Sequence, residues 1–312
     1  MNKTLLILLT GISLLPAGCT MIPKYNRPET PVTNEWPEGK AYPEKPAGAD
    51  IFDPSQLSWK EFFTDEKLQQ VIETALTNNR DLKLSALNVD LARAMYGIQK
   101  AEIFPAFDAV GSGNKSRGSN DLTRPGESRT SESYSVSLGA LSWEIDFFGR
   151  IRSLKARALE EYLASEQALR GAQILLISSV ANAYLAYAAD QENLSLSENT
   201  LKNQKNAFDL INQQYKAGII TELDLRCSQT LVDSAHLQVA SYTQQVAKDK
   251  NALNLLVGSP VPSELLPTKL SEVKLTRKIT PGLPSEVLFQ RPDVLQAENA
   301  LKAANADIGQ AR

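Results

Sequence analysis

A single histidine, two cysteines and 7% aromatic residues leave this 312-residue chain poorly equipped for most enzyme chemistry. There is no phosphate-binding glycine loop, no paired CxxC and no serine flanked by glycines at a strand-to-helix turn, so nucleotide, zinc-ribbon and serine-hydrolase chemistries lack their usual residues. His236 stands alone, with no cysteine or carboxylate cluster at metal-ligand spacing, and reads as a surface residue. Acid–base catalysis would have to rest on carboxylates, and the nearest candidate pair, Glu160-Glu161, reads as a solvated helix face. Charge is equally undistinguished: 33 basic against 36 acidic residues give a net charge of -3, which does not fit a nucleic-acid binder. No enzyme activity, cofactor or metal is expected.

What is present begins at the N-terminus. Lys3 precedes the apolar run Leu5 to Leu15, which is too short to span a bilayer and has the layout of a secretory signal. Pro16-Ala17-Gly18-Cys19 follows and resembles a bacterial lipobox, although Pro16 stands where leucine is usual. On that reading residues 1–18 are removed and Cys19 is acylated as the first residue of the mature chain. The alternative is an ordinary signal peptide with an incidental cysteine. With Cys19 lipidated, Cys227 has no partner, and an exported protein must be held together by packing without an intrachain disulfide.

Seven prolines between Pro23 and Pro54 remove backbone donors too often for a helix or central strand, so this stretch is expected to be an extended arm. A short amphipathic helix is expected from about Asp65 to Leu76. After Asn78-Asn79 a second helix runs to about Ile103, before Pro105. Its apolar positions Leu84, Leu87, Leu91, Ala94, Ile98 and Ala101 recur at steps of three and four, a heptad seam. Tyr134, Val136, Leu138 and Ala140 then alternate with Ser133, Ser135, Ser137 and Gly139, which predicts a strand with one apolar and one polar face. After Ala140 the phase flips to Leu141, Trp143, Ile145 and Phe147, read as a bulge or a change of environment within a strand reaching Phe148. A weaker partner strand, Phe107 to Gly113, is joined to it by an exposed polar loop from Lys115 to Glu132.

From Arg150 to Tyr215 there is no proline and only Gly171 as a weak point, so one helix of 66 residues, roughly 100 Å long, is predicted. Val180, Tyr187, Leu194, Leu201, Phe208 and Tyr215 recur every seven residues along it. The uncharged run Ala172 to Ala189 lies within this pattern and contains Gln173, Ser178, Ser179 and Asn182; a buried coiled-coil segment is therefore expected there, not a membrane span. Gly218 suits a helix C-cap, and Thr221 with Asp224 three residues on is the pattern of a capping box, so the chain should reverse in a tight hairpin. The returning helix, Thr221 to about Val257, carries Leu225, Val232, Val239, Val246 and Leu253, again every seven residues, before Gly258-Ser259-Pro260. Such long, thin seams give no hairpin a compact core of its own, so burial should come from neighbouring hairpins or subunits.

Asp81, Ala92, Ala94 and Gly97 reappear 212 residues later as Asp293, Ala304, Ala306 and Gly309, each set opening an alanine-rich helix after a turn. The sequence stops at Arg312 inside the second of these helices, so a fragment lacking most of a second repeat is expected.

Several stretches resemble the outer membrane factor family of TolC-like efflux channels, and in wording its OprM-type lipoprotein branch. They are Trp59-Lys60-Glu61-Phe62-Phe63 with Asp65 and Leu68; Ala75 through Leu82; Trp143-Glu144-Ile145-Asp146-Phe147-Phe148-Gly149-Arg150; Tyr215 through Leu225; and Gly282-Leu283-Pro284-Ser285 with Gln290-Arg291-Pro292-Asp293. The resemblance implies a mainly α fold with a small membrane β part. In such a fold long coiled-coil hairpins form a trimeric periplasmic α-barrel and paired strands enter a shared transmembrane β-barrel. Residues 1–18 would be the signal peptide, 19–63 the lipid-anchored arm, and 64–105 an equatorial helix and first barrel helix. Residues 106–148 would supply two transmembrane strands, 149–258 the long hairpin, 259–290 an equatorial linker and 291–312 the start of the second repeat. The family's own partners would be a homotrimer, a periplasmic membrane-fusion adaptor, an inner-membrane RND-type pump and outer-membrane lipid. Gly218, Ile219, Ile220 and Thr221 at the hairpin tip would meet the adaptor, and the only attached group would be the lipid on Cys19. The function implied is passive conduction of drugs or other toxic solutes across the outer membrane. A type I protein-secretion channel and a periplasmic coiled-coil scaffold lipoprotein are the rival readings, the second leaving the alternating strand unexplained.

Overall fold

The computed structural model describes residues 20–29, 57–119, 121, 124, 126–140, 143–274 and 285–312. Cys19 and most of the proline-rich arm lie outside the described residues. Among the described residues six helices and one strand pair follow in the order α1 (Trp59–Phe62), α2 (Glu66–Asn78), α3 (Arg80–Ala101), β1 (Phe107–Arg117), β2 (Thr130–Ala140), α4 (Arg150–Lys216), α5 (Glu222–Val257) and α6 (Pro292–Ala311), with short 3-10 turns between α5 and α6. The helices α3, α5 and α4 contain 22, 36 and 67 residues, close to the lengths that the breaker residues predict.

Two compact units are distinguished. One comprises Glu29–Val89 and Glu166–Gln296. Its core sets Leu68, Val71, Ile72 and Ala75 of α2 against Val180, Ala181, Tyr184 and Tyr187 of α4, with Leu253 and Val257 of α5 closing the layer. Complete burial of each of the larger aliphatic side chains contributes roughly 1.5–3 kcal/mol, so α2, short as it is, is a firmly held element. Leu176, Val180, Ala181, Tyr184 and Tyr187 belong to the uncharged run of α4, which supplies this core although its length and composition alone would suit a membrane span. The Tyr184 hydroxyl donates to the Leu265 carbonyl at 3.0 Å, and burial pushes its pKa up. Asn79 joins three elements: its amide donates to the Leu256 carbonyl at 2.8 Å and its Oδ1 accepts from the Leu82 N–H at 2.9 Å, capping the start of α3.

The second unit comprises Met1–Pro28, Asp90–Ser165 and Ala297–Arg312. Its antiparallel strands pair from Phe107 with Ala140 to Arg117 with Thr130. Opposed residues share a face, so Phe107, Ala109, Gly111 and Gly113 lie with Tyr134, Val136 and Leu138 on one side, while the other carries Ser112 hydrogen-bonded to Ser135 at 2.7 Å. Lys115 and Glu132 form an ion pair inside the ladder, which shortens the loop expected over 115–132. Conversely, β2 stops at Ala140, and the expected strand through Phe148 is not formed. Residues 143–148 alternate for a different reason: Glu144 accepts from Arg150 Nε at 3.0 Å and Asp146 from Arg152 Nε at 3.1 Å, turning the acidic residues toward α4 and the apolar ones outward.

Residues 20–29, expected only to be extended, form a strap on α6. Asn305 donates to the Pro23 carbonyl at 2.7 Å, Arg27 pairs with Glu298, and the Lys302 ammonium lies 5.4 Å from the Tyr25 ring centre. Ile22 seats against Gly309, where a Cβ would come within 2.8 Å of its side chain and 2.7 Å of Ser153 Oγ. Glu160 also departs from the solvated reading: one of its carboxylate oxygens is buried without a donor, and desolvation holds its pKa above the usual carboxylate range. Its neighbour Glu161 is exposed and pairs with Arg157 at 2.8 Å.

The seam of α3 is also placed differently from the simple expectation. Leu84, Leu87, Leu91 and Ile98 are all more than half exposed, whereas the small and aromatic positions Ala86, Val89, Ala92 and Tyr96 are partly covered. Tyr96 stacks on Tyr162 of α4 at 6.4 Å between ring centres. A heptad pattern reports which face will be buried but not by which chain, and within the described residues this stripe is uncovered.

Candidate functional site: the hairpin tip

Nine residues, Lys216 to Asp224, turn the chain from α4 into α5. The reversal is set by two interlocked caps. At the end of α4 the Gly218 N–H donates to the Tyr215 carbonyl and the Ile219 N–H to the Gln214 carbonyl, each at 2.9 Å, with Gly218 at a φ of 74°. That pair of bonds is the Schellman arrangement, which needs a left-handed residue where Gly218 stands. At the start of α5 the Thr221 hydroxyl accepts from the Asp224 N–H at 3.3 Å while the Asp224 carboxylate accepts from the Thr221 N–H at 3.1 Å. Hydrogen bonds from Thr221 hold the Asp224 carboxyl below its ordinary pKa. Every orphan donor and carbonyl so engaged is one the tip does not offer to water, and a tight, rigid reversal results.

Rigidity matters for what the tip displays. Ile219 is 71% exposed, whereas Ile220 is only partly exposed and Thr221 is occupied in capping. Leu223, in the first turn of α5, is as exposed as Ile219. The four residues picked out from the sequence therefore divide: Gly218 and Thr221 build the turn, Ile219 presents an apolar side chain, and Ile220 is the least exposed of the four. Leu223 escaped sequence reasoning because the heptad of α5 runs through Leu225; the signal that could have found it is an apolar residue one position off that seam beside a cap. The Glu222–Arg226 pair at 3.0 Å flanks the patch. Among the described residues no group of three or more His, Cys, Asp or Glu side chains is arranged to hold a metal ion.

The described residues thus combine a long antiparallel hairpin with a capped apolar tip, an amphipathic strand pair and a short buried helix. Residues 71–259 match the family described as Outer membrane efflux protein, and the chain belongs to that family. It is 44% identical over 313 residues to the probable efflux pump outer membrane protein TtgC of Pseudomonas putida, covering 100% of this chain and 64% of that protein. With the outer membrane protein OprJ of Pseudomonas aeruginosa it shares 39% identity over 302 residues, 96% of this chain and 62% of the relative. The fold superposes on the open state of the Neisseria gonorrhoeae MtrE outer membrane channel with a TM-score of 0.75 at 33% identity, covering 94% of this chain and 63% of that one. A membrane protein of Pseudomonas aeruginosa gives a TM-score of 0.79 at 39% identity, with 94% and 65% covered. The chain thus spans a little under two thirds of the length of the relatives it matches.

Proposed function

We propose that the protein is the outer-membrane exit channel of a tripartite efflux system, passing drugs or other toxic solutes from an inner-membrane pump and periplasmic adaptor to the exterior. The observation that carries this reading is the combination, on one repeat, of a strand pair with an apolar and a polar face and a rigidly capped hairpin. Each strand has 11 residues. At ~3.3 Å per residue and a tilt near 40°, that length covers about 28 Å, the height of a bilayer's hydrocarbon layer. Neither strand pair nor hairpin closes on itself, so a homotrimer that pools strands into a barrel and hairpins into a tube is the assembly that pairs every edge. The helical lumen needs no nucleophile or cofactor, and the chain acts as a passive conduit, not an enzyme. Cys19 carries the lipid that holds the N-terminus at the outer membrane, and Gly218, Ile219, Ile220 and Thr221, with Leu223, meet the adaptor.

Efflux relatives favour small toxic solutes over secreted proteins as cargo: the antibiotic efflux pump outer membrane protein ArpC and the toluene efflux pump outer membrane protein TtgC of Pseudomonas putida match along the whole of this chain. The test is drug susceptibility. A strain lacking its own channel should regain resistance when the full-length protein is supplied with its pump and adaptor. Ile219→Asp should abolish that resistance and cross-linking of the tip to the adaptor while leaving outer-membrane levels unchanged. Full resistance with Ile219→Asp would remove the tip from the docking surface.

A further inference from the structure

The two faces of the strand pair differ in charge as well as in polarity. Opposed residues point to the same side and successive residues alternate, so the even positions of β1 share a face with the odd positions of β2. That face is serine throughout except for Asp108, Val110, Asn114 and Gly139, which makes Asp108 its one charged residue. The other charged residues of the two strands, Lys115, Arg117 and Glu132, stand on the apolar face near the connecting loop, and Lys115 is paired with Glu132. Asp108 lies at the opposite end, where the strands join α3 and α4. It is exposed, and among the described residues its carboxylate has no hydrogen-bond or ion-pair partner. The residue facing it across the ladder is Gly139, and a Cβ added there would meet nothing within 4 Å, so the space beside the carboxylate is open. The serine hydroxyls of the same face are turned partly to one another, as in the Ser112–Ser135 bond, and carry no formal charge. Nothing in the packing of the pair calls for an acid at position 108.

We propose that Asp108 gives the strand-lined part of the lumen a preference for cationic over anionic solutes. The proposal rests on the channel reading above, in which the apolar face of the pair meets lipid and the serine face meets water. In the trimer of that reading Asp108 recurs as a ring of three carboxylates at the end of the lumen nearest the helices, on strands whose water-facing side is otherwise uncharged. A solute leaving the helical tube passes this ring before it meets the serine wall. The reach of such a ring is set by salt. A fixed charge acts over ~30 Å at 0.01 M ionic strength, further than the half-width of a lumen that passes small solutes, but over only ~3 Å at 1 M. At 0.01 M, three carboxylates each about 10 Å from a passing ion favour a monovalent cation over a monovalent anion roughly tenfold, and at 1 M the preference disappears. Cationic and neutral solutes are therefore the cargo this section of the channel favours, and acidic solutes are the ones it slows.

The test is the reversal potential of the full-length protein in planar bilayers of zwitterionic phospholipid, between two potassium chloride solutions near ~0.01 M that differ about threefold in concentration. Asp108→Asn should lower the ratio of potassium to chloride permeability at least about threefold, and Asp108→Lys should lower it further. Near ~1 M salt the wild type and Asp108→Asn should have the same ratio and the same conductance. Ser135→Cys in a Cys227→Ser background probes the reading beneath: labelling with a bulky aqueous thiol reagent should reduce conductance, compared with the same protein lacking Ser135→Cys. Reduced conductance on labelling, with an unchanged permeability ratio in Asp108→Asn, would overturn the proposal and leave the serine face as the channel wall. No effect of labelling and no change in the ratio would overturn the two together. A ratio that falls in Asp108→Asn by as much at 1 M salt as at 0.01 M would point to altered structure in place of a field, and would equally refute the assignment.

Discussion

Gly258, at the end of α5, is the position where a single methyl group should do the most damage for a reason that can be separated into parts. Its φ is 77°, and a Cβ built there would lie 2.8 Å from the Asn78 carbonyl oxygen and 3.1 Å from its carbon. Gly218, at the end of α4, has nearly the same φ, 74°, and nothing within 4 Å of an added Cβ. The backbone conformation alone costs an alanine about 1–2 kcal/mol at either site. At Gly258 the methyl must also displace the Asn78–Asn79 backbone. Overpacking of that kind costs roughly 1–3 kcal/mol, and stretching the bond from Asn79 to the Leu256 carbonyl removes up to about 1 kcal/mol more. Gly258→Ala is therefore expected to destabilise by roughly 2–6 kcal/mol and Gly218→Ala by about 1–2. Guanidinium unfolding of the detergent-solubilised full-length protein, followed by far-UV circular dichroism, reads both. Equal losses for the two variants would refute the claim that close approach of α5 to the α2–α3 junction, and not backbone geometry, makes Gly258 irreplaceable.

Three further outcomes follow from named contacts. Thr221→Ala removes the hydroxyl that caps α5, and hydrogen exchange should show the first turn of that helix opening several-fold faster. Because hydrogen bonds from Thr221 lower the Asp224 pKa in the folded protein, the wild-type cap contributes stability above the unfolded carboxyl value of about 4 and loses it as pH falls through the lowered folded value. Asp249 is the opposite case: burial first and the facing Asp190 carboxyl second raise its pKa, so its ionised form weakens the fold at neutral pH. Asp249→Asn should raise the urea midpoint at pH 7.5, and the gain should disappear below about pH 4, where the acid is protonated in both folded and unfolded chains. Gly309→Ala should lift the N-terminal strap, because its methyl would meet Ile22 and Ser153 at under 3 Å; faster tryptic cleavage after Lys24 is the readout.

How much could be read beforehand depended on the range of the interaction concerned. Caps at Gly218, Thr221 and Gly258 are written in adjacent residues, and the long helix is written in an absence of breakers, so both were legible. The end of β2 was not. An alternation of apolar and acidic residues at 143–147 satisfies the period of a strand, but here it arises from Arg150 and Arg152 in the first turn of the next helix. The same limit hid the strap: proline spacing predicts extended backbone and is silent about what Asn305, Glu298 and Lys302 do to it. The exposed stripe of α3 shows a third kind of limit. Leu84, Leu87, Leu91 and Ile98 announce a buried seam, and the surface that would bury them is not among the described residues. At the tip, the turn was readable in detail, whereas the exposure of Leu223 depended on how α5 is rotated against α4.

The central claim is conduction, and it is tested most directly by loading cells that lack an outer-membrane channel of their own with a fluorescent efflux substrate. Supplied with the full-length protein, its adaptor and its pump, such cells should expel the dye when energised, and Ile219→Asp should return them to the rate of channel-free cells. Retention of the dye despite trimeric full-length protein in the outer membrane would contradict the account.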